Sequence, residues 1–165
     1  MIKNTLRLAA GVLLAFGFAT GAYAQYGGST PATPAAPTMP AAPTMSKSFH
    51  ASLSGAQEVP PVAGNGTASA DFKLDAATKT LTWTVTYSGL SSDAVAAHIH
   101  GPAAMGANAG VEVNLAPGGM ASPLTGSAVL TDAQITDLST GNTYINIHTA
   151  NNKGGEIRGQ ITPKM

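Results

Sequence analysis

The chain contains no cysteine among its 165 residues. Disulfide bonds and thiol nucleophiles are therefore excluded, and so is a lipid-anchored cysteine after an export signal. Apolar burial must stabilise the fold, either alone or together with a bound metal ion.

Charge is also scarce, because charged residues make up only 10% of the chain and eight basic residues balance eight acidic ones. The basic residues form no cluster, which argues against nucleic acid or an anionic membrane as partner. Phosphate-binding and nucleophile-elbow motifs are missing too, and Gly64-Asn65-Gly66 lacks the third glycine and the following helix of a dinucleotide site. The sequence therefore assigns no catalytic residue.

The first 24 residues predict a secretory signal peptide. Lys3 and Arg7 precede an almost wholly apolar run, 8–18, and Ala22-Tyr23-Ala24 is a small-x-small cleavage site. The run is too short for a good membrane span. We expect cleavage after Ala24, a secreted or periplasmic protein, and no membrane span in the mature form.

Residues 25–46 predict a disordered linker rich in proline, alanine and threonine. Prolines recur at every third position from Pro31 to Pro43. Polyproline II has three residues per turn, so these prolines would align on one side of a spacer.

Residues 47–165 predict a single β domain. Alternating apolar and polar residues mark short strand-like stretches between glycine-rich turns. They are 49–53, 68–74, 81–87, a segment around His98, 111–115, 126–130, a segment from Tyr144, and 156–162. We expect an all-β, Greek-key-like antiparallel sandwich or barrel.

One short helix interrupts the strands. Thr131 and Gln134 have the spacing of a capping box, and Gly141 suits the C-terminal end. Ile135 and Leu138 form the apolar side, so we expect about two turns that close one end of the sandwich.

Three of the four histidines occur in two strand segments. His98 and His100 are two apart and share a face. His148 shares its face with Tyr144 and Asn146, opposite the isoleucines of that strand. If the strands are neighbours, His98, His100 and His148 can bind one copper or zinc ion and leave a fourth position open.

A structural role is the alternative for these histidines, which can instead hydrogen-bond backbone and rim groups and fix the loop 101–110. His50 is expected to be solvated on an outward face. Glu58 is expected to cap backbone amides or to pair with Arg158. Glu156 and Arg158 share a face of the last strand, which predicts a structural ion pair.

Several motifs together resemble the CHRD domain, named after chordin, over nearly all of 47–165. They are the run from Phe49 to Gly55, Gln57-Glu58-Val59-Pro60-Pro61, Ala96 to Ala103, Tyr144 to Asn152, and Gly154 to Ile161. The resemblance implies a β-rich domain that is extracellular or exported.

A weaker similarity is to the copper–zinc superoxide dismutase sandwich, where a His-x-His strand and a later histidine bind copper. It implies copper at His98, His100 and His148, with Arg158 near the end as in that family. The further histidines and aspartate that bind zinc in that family have no counterparts here.

We therefore expect an exported binding or structural module of the CHRD type, with an unidentified extracellular or periplasmic partner. It would hold one copper or zinc ion through three histidines. Two alternatives remain: a copper-dependent redox enzyme related to superoxide dismutase, and a metal-free cell-surface adhesion or matrix module. The non-catalytic roles are favoured over the enzyme.

Overall fold

A computed structural model describes residues 45–164 of the chain. The predicted signal peptide, 1–24, lies outside the described residues. So does the predicted linker, 25–46, except for its last two residues. Both stay predictions.

Nine strands and one α-helix make up the described part, together with a 3-10 turn at Gly55–Gln57. The strands are β1 Ser46–Ser54, β2 Thr67–Asp75, β3 Thr80–Ser88, β4 Ala94–His100, β5 Val111–Asn114, β6 Leu124–Val129, β7 Tyr144–Thr149, β8 Ile157–Gln160 and β9 Thr162–Pro163. The helix, α1, spans Asp132–Ser139. No helix among residues 45–164 is long and apolar enough to cross a membrane.

The strands form one antiparallel sheet in the order β5-β4-β7-β8-β1-β2-β3-β6, with β9 also paired to β1. The chain leaves β3 near one edge and enters β4 near the other. This crossing connection and the nearly closed sheet confirm the predicted all-β sandwich or barrel. The strand order also places the two histidine-bearing strands, β4 and β7, side by side.

The predicted last strand, 156–162, is two strands instead of one. Ile161 separates β8 from β9. Its side chain is fully buried, and its N–H donates to the Thr143 carbonyl at 2.9 Å and not to β1. After this break the chain pairs with the beginning of β1, at Phe49 and His50.

The core lies inside the sheet and follows the predicted alternation. Phe49, Phe72 and Trp83 come from adjacent strands and are at most 4% exposed. Burial of such a side chain contributes about 1.5–3 kcal/mol to stability. Trp83 satisfies its indole N–H with the Leu115 carbonyl at 3.0 Å. Gly126 of β6 lies opposite Trp83 on the neighbouring strand β3. A Cβ on this glycine would lie 2.5 Å from the indole ring.

The helix α1 begins as predicted. Thr131 and Gln134 form a reciprocal capping box, and Gly141 follows the helix with a φ of 75°. Leu138 is buried in the core, and Gln134 donates to the Glu112 carbonyl of β5. The helix therefore covers the sheet beside β5.

Candidate functional site

The histidine cluster, defined as His98, His100 and His148, stands on the pair β4–β7. His98 lies opposite Asn146 in the register, and His100 lies opposite Tyr144. Because β-strand side chains alternate between faces, all five side chains project from the face opposite the isoleucine core. The strands are neighbours, as the sequence-based metal hypothesis required.

The three imidazoles gather closely. His98 Nδ1 and His148 Nε2 are 3.2 Å apart. The ring centroids of His98 lie 5.1 Å from His148 and 5.8 Å from His100. One nitrogen from each ring lies within 4.8 Å of the other two. The cluster therefore presents three nitrogens to a single small volume.

Backbone carbonyls fix the tautomers of two rings. His148 Nδ1 lies 2.9 Å from the Lys153 carbonyl, and His100 Nδ1 lies 3.0 Å from the Ala109 carbonyl. A carbonyl oxygen can only accept, so Nδ1 carries the proton in both rings. In the neutral form of each ring, Nε2 then keeps its lone pair.

Burial keeps two rings of the cluster uncharged. It is the largest cause that lowers the pKa of His98, with the charges on His148 and His100 acting in the same sense. Burial also lowers the pKa of His100, and its hydrogen bonds with Ala109 and Asn146 only partly oppose this. Both rings are therefore neutral at physiological pH.

The loop 101–110 covers one side of the cluster. His100 is only 8% exposed beneath it. Arg158 holds the same loop by donating from Nη1 to Asn108 Oδ1 at 2.9 Å and from Nη2 to the Ala107 carbonyl at 2.6 Å. The loop 101–110 lies beside the histidine face, and His100 takes part in fixing that loop through Ala109, as the structural alternative proposed.

Arg158, Tyr144 and His100 form a stack. The Arg158 guanidinium carbon lies 3.4 Å from the centre of the Tyr144 ring. The Tyr144 ring in turn stacks on His100 at 4.9 Å, with an angle of 4° between the planes. The cation–π contact and the ring stacking together fix the orientation of the His100 ring. Sequence reasoning missed this role of Tyr144, although Tyr144 shares the histidine face.

Of the two roles expected for Glu58, the ion pair with Arg158 is absent from the described structure, whereas a hydrogen bond with the Val59 backbone agrees with the capping role. The Glu58 carboxylate is buried at 6% exposure, and Oε1 has no hydrogen-bond partner in the described structure. Burial raises the pKa of Glu58 to about 7, against the opposing effect of the Arg158 charge. Glu58 is thus close to half protonated at neutral pH.

Glu156 does not pair with Arg158 either. It precedes β8, and its carboxylate accepts three hydrogen bonds of 2.7 Å, two from Ser91 and one from the Thr149 hydroxyl. Asn152 donates a fourth at 3.1 Å. Burial acts to raise the pKa of Glu156, but these hydrogen bonds together lower it. The Glu156 carboxylate therefore holds the loops at Ser91 and Asn152 in place, and it forms no ion pair with Arg158 in the described structure.

His50 lies on the distant strand β1 and takes no part in the cluster. It is partly exposed and hydrogen-bonded to Asp71 at 3.1 Å and Ser52 at 3.2 Å. These contacts agree with the outward position predicted for it.

The comparisons with known proteins identify the domain. The family model of the CHRD domain matches residues 49–161, a span that includes both histidine-bearing strands and the loop between them. Searches among curated proteins and among solved structures found no significant match. The family match covers more than half of the chain, and its range coincides with the antiparallel domain described above. The chain belongs to the CHRD-domain family.

Proposed function

We propose that this protein is an exported CHRD-domain binding module that holds one copper or zinc ion between His98, His100 and His148. The observation that carries the proposal is the separation of 3.2 Å between His98 Nδ1 and His148 Nε2. Two nitrogens that bind one ion at about 2.0–2.1 Å are about 2.9–3.4 Å apart for bond angles between 90° and tetrahedral.

The surroundings of the rings support the same function. Metal-binding histidines usually donate their other ring N–H to a carbonyl or carboxylate, which fixes the tautomer and the ring plane. His100 and His148 make such contacts, to the Ala109 and Lys153 carbonyls. In the metal-free protein the His148 Nε2 lone pair accepts from His98 Nδ1, so metal binding at these two atoms requires the single proton of neutral His98 to move from Nδ1 to Nε2.

Imidazole nitrogen suits both copper and zinc. Thioether sulfur would favour copper(I), but Met105 in the covering loop is 77% exposed and Met120 packs against the core. These positions give no support to a methionine ligand. The proposal therefore names copper(II) or zinc.

Export of the module is inferred from the sequence. The basic start, the apolar run 8–18 and the site Ala22-Tyr23-Ala24 support removal of a signal peptide. We propose a secreted or periplasmic location, in which the prolines of 25–46 separate the domain from whatever precedes or surrounds it. N-terminal sequencing of the exported protein is expected to begin at Gln25.

The position of Arg158 argues against the redox alternative. The similarity to superoxide dismutase includes an arginine at this place near the end of the chain, and a role for it in a reaction would require its guanidinium to be accessible. Here Arg158 is 2% exposed. Its guanidinium contacts the Tyr144 ring and donates to the loop 101–110. A binding or structural role for the ion is therefore favoured.

Reconstitution tests the metal function. Protein purified without a histidine tag is loaded with Cu²⁺ or Zn²⁺, desalted, and examined by thermal unfolding. We expect a higher Tm in the loaded protein, and no rise in the double variant His98→Ala, His148→Ala. An identical Tm with and without both metals would reject the site and leave the metal-free adhesion or matrix module.

A further inference from the structure

A second group of polar side chains lies on the outer face of β1 and β2, away from the histidine cluster. His50 Nδ1 lies 3.1 Å from Asp71 Oδ1, and His50 Nε2 lies 3.2 Å from Ser52 Oγ. His50 and Ser52 are two apart on β1 and share a face. Asp71 lies opposite His50 in the register with β2. Strand pairing thus places a hydroxyl, an imidazole and a carboxylate in series.

Lys164 keeps the carboxylate of this series ionised. Its Nζ lies 2.6 Å from Asp71 Oδ1, and hydrogen bonds from Lys164 and His50 lower the pKa of Asp71. An ionised carboxylate only accepts hydrogen bonds, so the proton of a neutral His50 ring is on Nδ1. His50 Nε2 then accepts from the Ser52 hydroxyl. This is the order of a nucleophile, a general base and an orienting carboxylate.

We propose that Ser52 is a nucleophile that accepts the acyl group of activated carboxylic esters, with His50 as its general base and Asp71 as the residue that orients the imidazole. Ser52 Oγ attacks the ester carbonyl carbon while its proton passes to His50 Nε2. The bond from that carbon to the leaving oxygen breaks, and Nε2 returns the proton to that oxygen. The products are acyl-Ser52 and the free alcohol.

The position of Ser52 within a paired strand restricts the substrate class. Backbone N–H groups of a strand point along the sheet toward neighbouring strands and not along the side chains, so β1 supplies no backbone oxyanion hole beside Ser52. General-base assistance contributes about 10²-fold to 10⁴-fold. We therefore expect reaction with esters of good leaving groups such as phenols, and not with amides. Ser52 is exposed, so these esters reach it from solvent.

Strand β1 also contains a matched serine without the base. Ser48 precedes His50 by two residues as Ser52 follows it by two, and both serines are exposed on the same face. The His50 ring is hydrogen-bonded to Asp71 and Ser52, and no hydrogen bond joins it to Ser48 in the described structure. The difference in reactivity between the two serines therefore measures what His50 contributes.

Acetylation by p-nitrophenyl acetate tests the proposal. The full chain is treated in the presence of a chelator, digested and mapped by mass spectrometry, and neutral hydroxylamine separates labile acetyl-serine from stable acetyl-lysine. We expect Ser52 to be acetylated faster than Ser48 by about 10²-fold or more. His50→Ala should slow acetylation of Ser52 by a similar factor, and added imidazole should partly restore the rate.

Two variants of Asp71 test its orienting role. Asp71→Asn should slow acetylation of Ser52, because the ionised acceptor of the His50 Nδ1 proton is lost, and Asp71→Glu should retain part of the rate. These side chains are exposed or partly exposed, so each variant should unfold at nearly the wild-type Tm.

Three results would overturn the proposal. They are the absence of labile acetyl from Ser52 in wild type, equal acetylation of Ser52 and Ser48, and an unchanged rate at Ser52 in His50→Ala.

Discussion

Replacement of Glu58 by glutamine is expected to stabilise the metal-free protein at high pH. The folded protein raises the pKa of this carboxyl from 4.5 to about 7, mainly through burial. The folded state therefore prefers the protonated form, and its stability falls as the pH rises through about 7. Glutamine is neutral at every pH and has nearly the same shape.

The magnitude follows from the size of the pKa change. Each tenfold change in acidity corresponds to about 1.4 kcal/mol, so the full penalty on the ionised carboxyl is about 3 kcal/mol. We expect Glu58→Gln to have a free energy of unfolding about 2–3 kcal/mol above wild type at pH 8.5. Below pH 4.5 the two proteins should differ little, because wild-type Glu58 is then protonated in both the folded and the unfolded states.

Urea unfolding in the presence of a chelator measures this difference between pH 4 and pH 8.5. His98 and His100 act in the opposite direction, since their lowered pKa values make the folded state less stable as the pH falls below 6.5. Subtraction of the wild-type curve from the variant curve removes that contribution. A difference that is constant with pH, or that shrinks as the pH rises, would refute the buried-carboxyl account.

Two other substitutions have expected outcomes in the same unfolding assay. Glu156→Gln should lower the free energy of unfolding by about 2–3 kcal/mol at pH 7, since hydrogen bonds to a charged group contribute about 1.5–3 kcal/mol and this carboxylate accepts them from Ser91 and Thr149. The loss should vanish in acid because the pKa of Glu156 is lowered; an equal loss at every pH would contradict the role of the charge. Thr131→Ala should cost about 1 kcal/mol by removing the helix cap shared with Gln134, and unchanged stability would show that the cap contributes nothing.

The fold could be predicted where one face of a strand is buried and the other is exposed. Phe49 and Leu53 alternate with exposed or partly exposed residues in β1, and the helix was marked by the capping pair Thr131 and Gln134. The last strand could not be divided correctly. Residues 157–159 are all buried, because β8 has the core on one side and the loop 101–110, which Arg158 contacts, on the other. The alternation of exposed and buried residues therefore does not show where this strand ends.

The candidate site was predictable only in part. The spacing of His98 and His100, and the position of His148 on an alternating strand, placed three rings on outward faces. Neither spacing nor composition shows that the loop 101–110 folds over that face. Arg158 donates to the loop 101–110, and Glu156 accepts from Ser91. Both partners are remote in sequence, so the expected ion pairs of Glu58 and Glu156 with Arg158 were wrong.

The most direct test of the central claim is the metal content of the protein after reconstitution. Tag-free wild-type protein, the double variant His98→Ala, His148→Ala, and the control His50→Ala are each incubated with Zn²⁺ or Cu²⁺, desalted, and analysed by elemental mass spectrometry. We predict one ion per chain in wild type and in His50→Ala, and none in the double variant. Equal metal content in all three proteins, or no retained metal in wild type, would contradict the account.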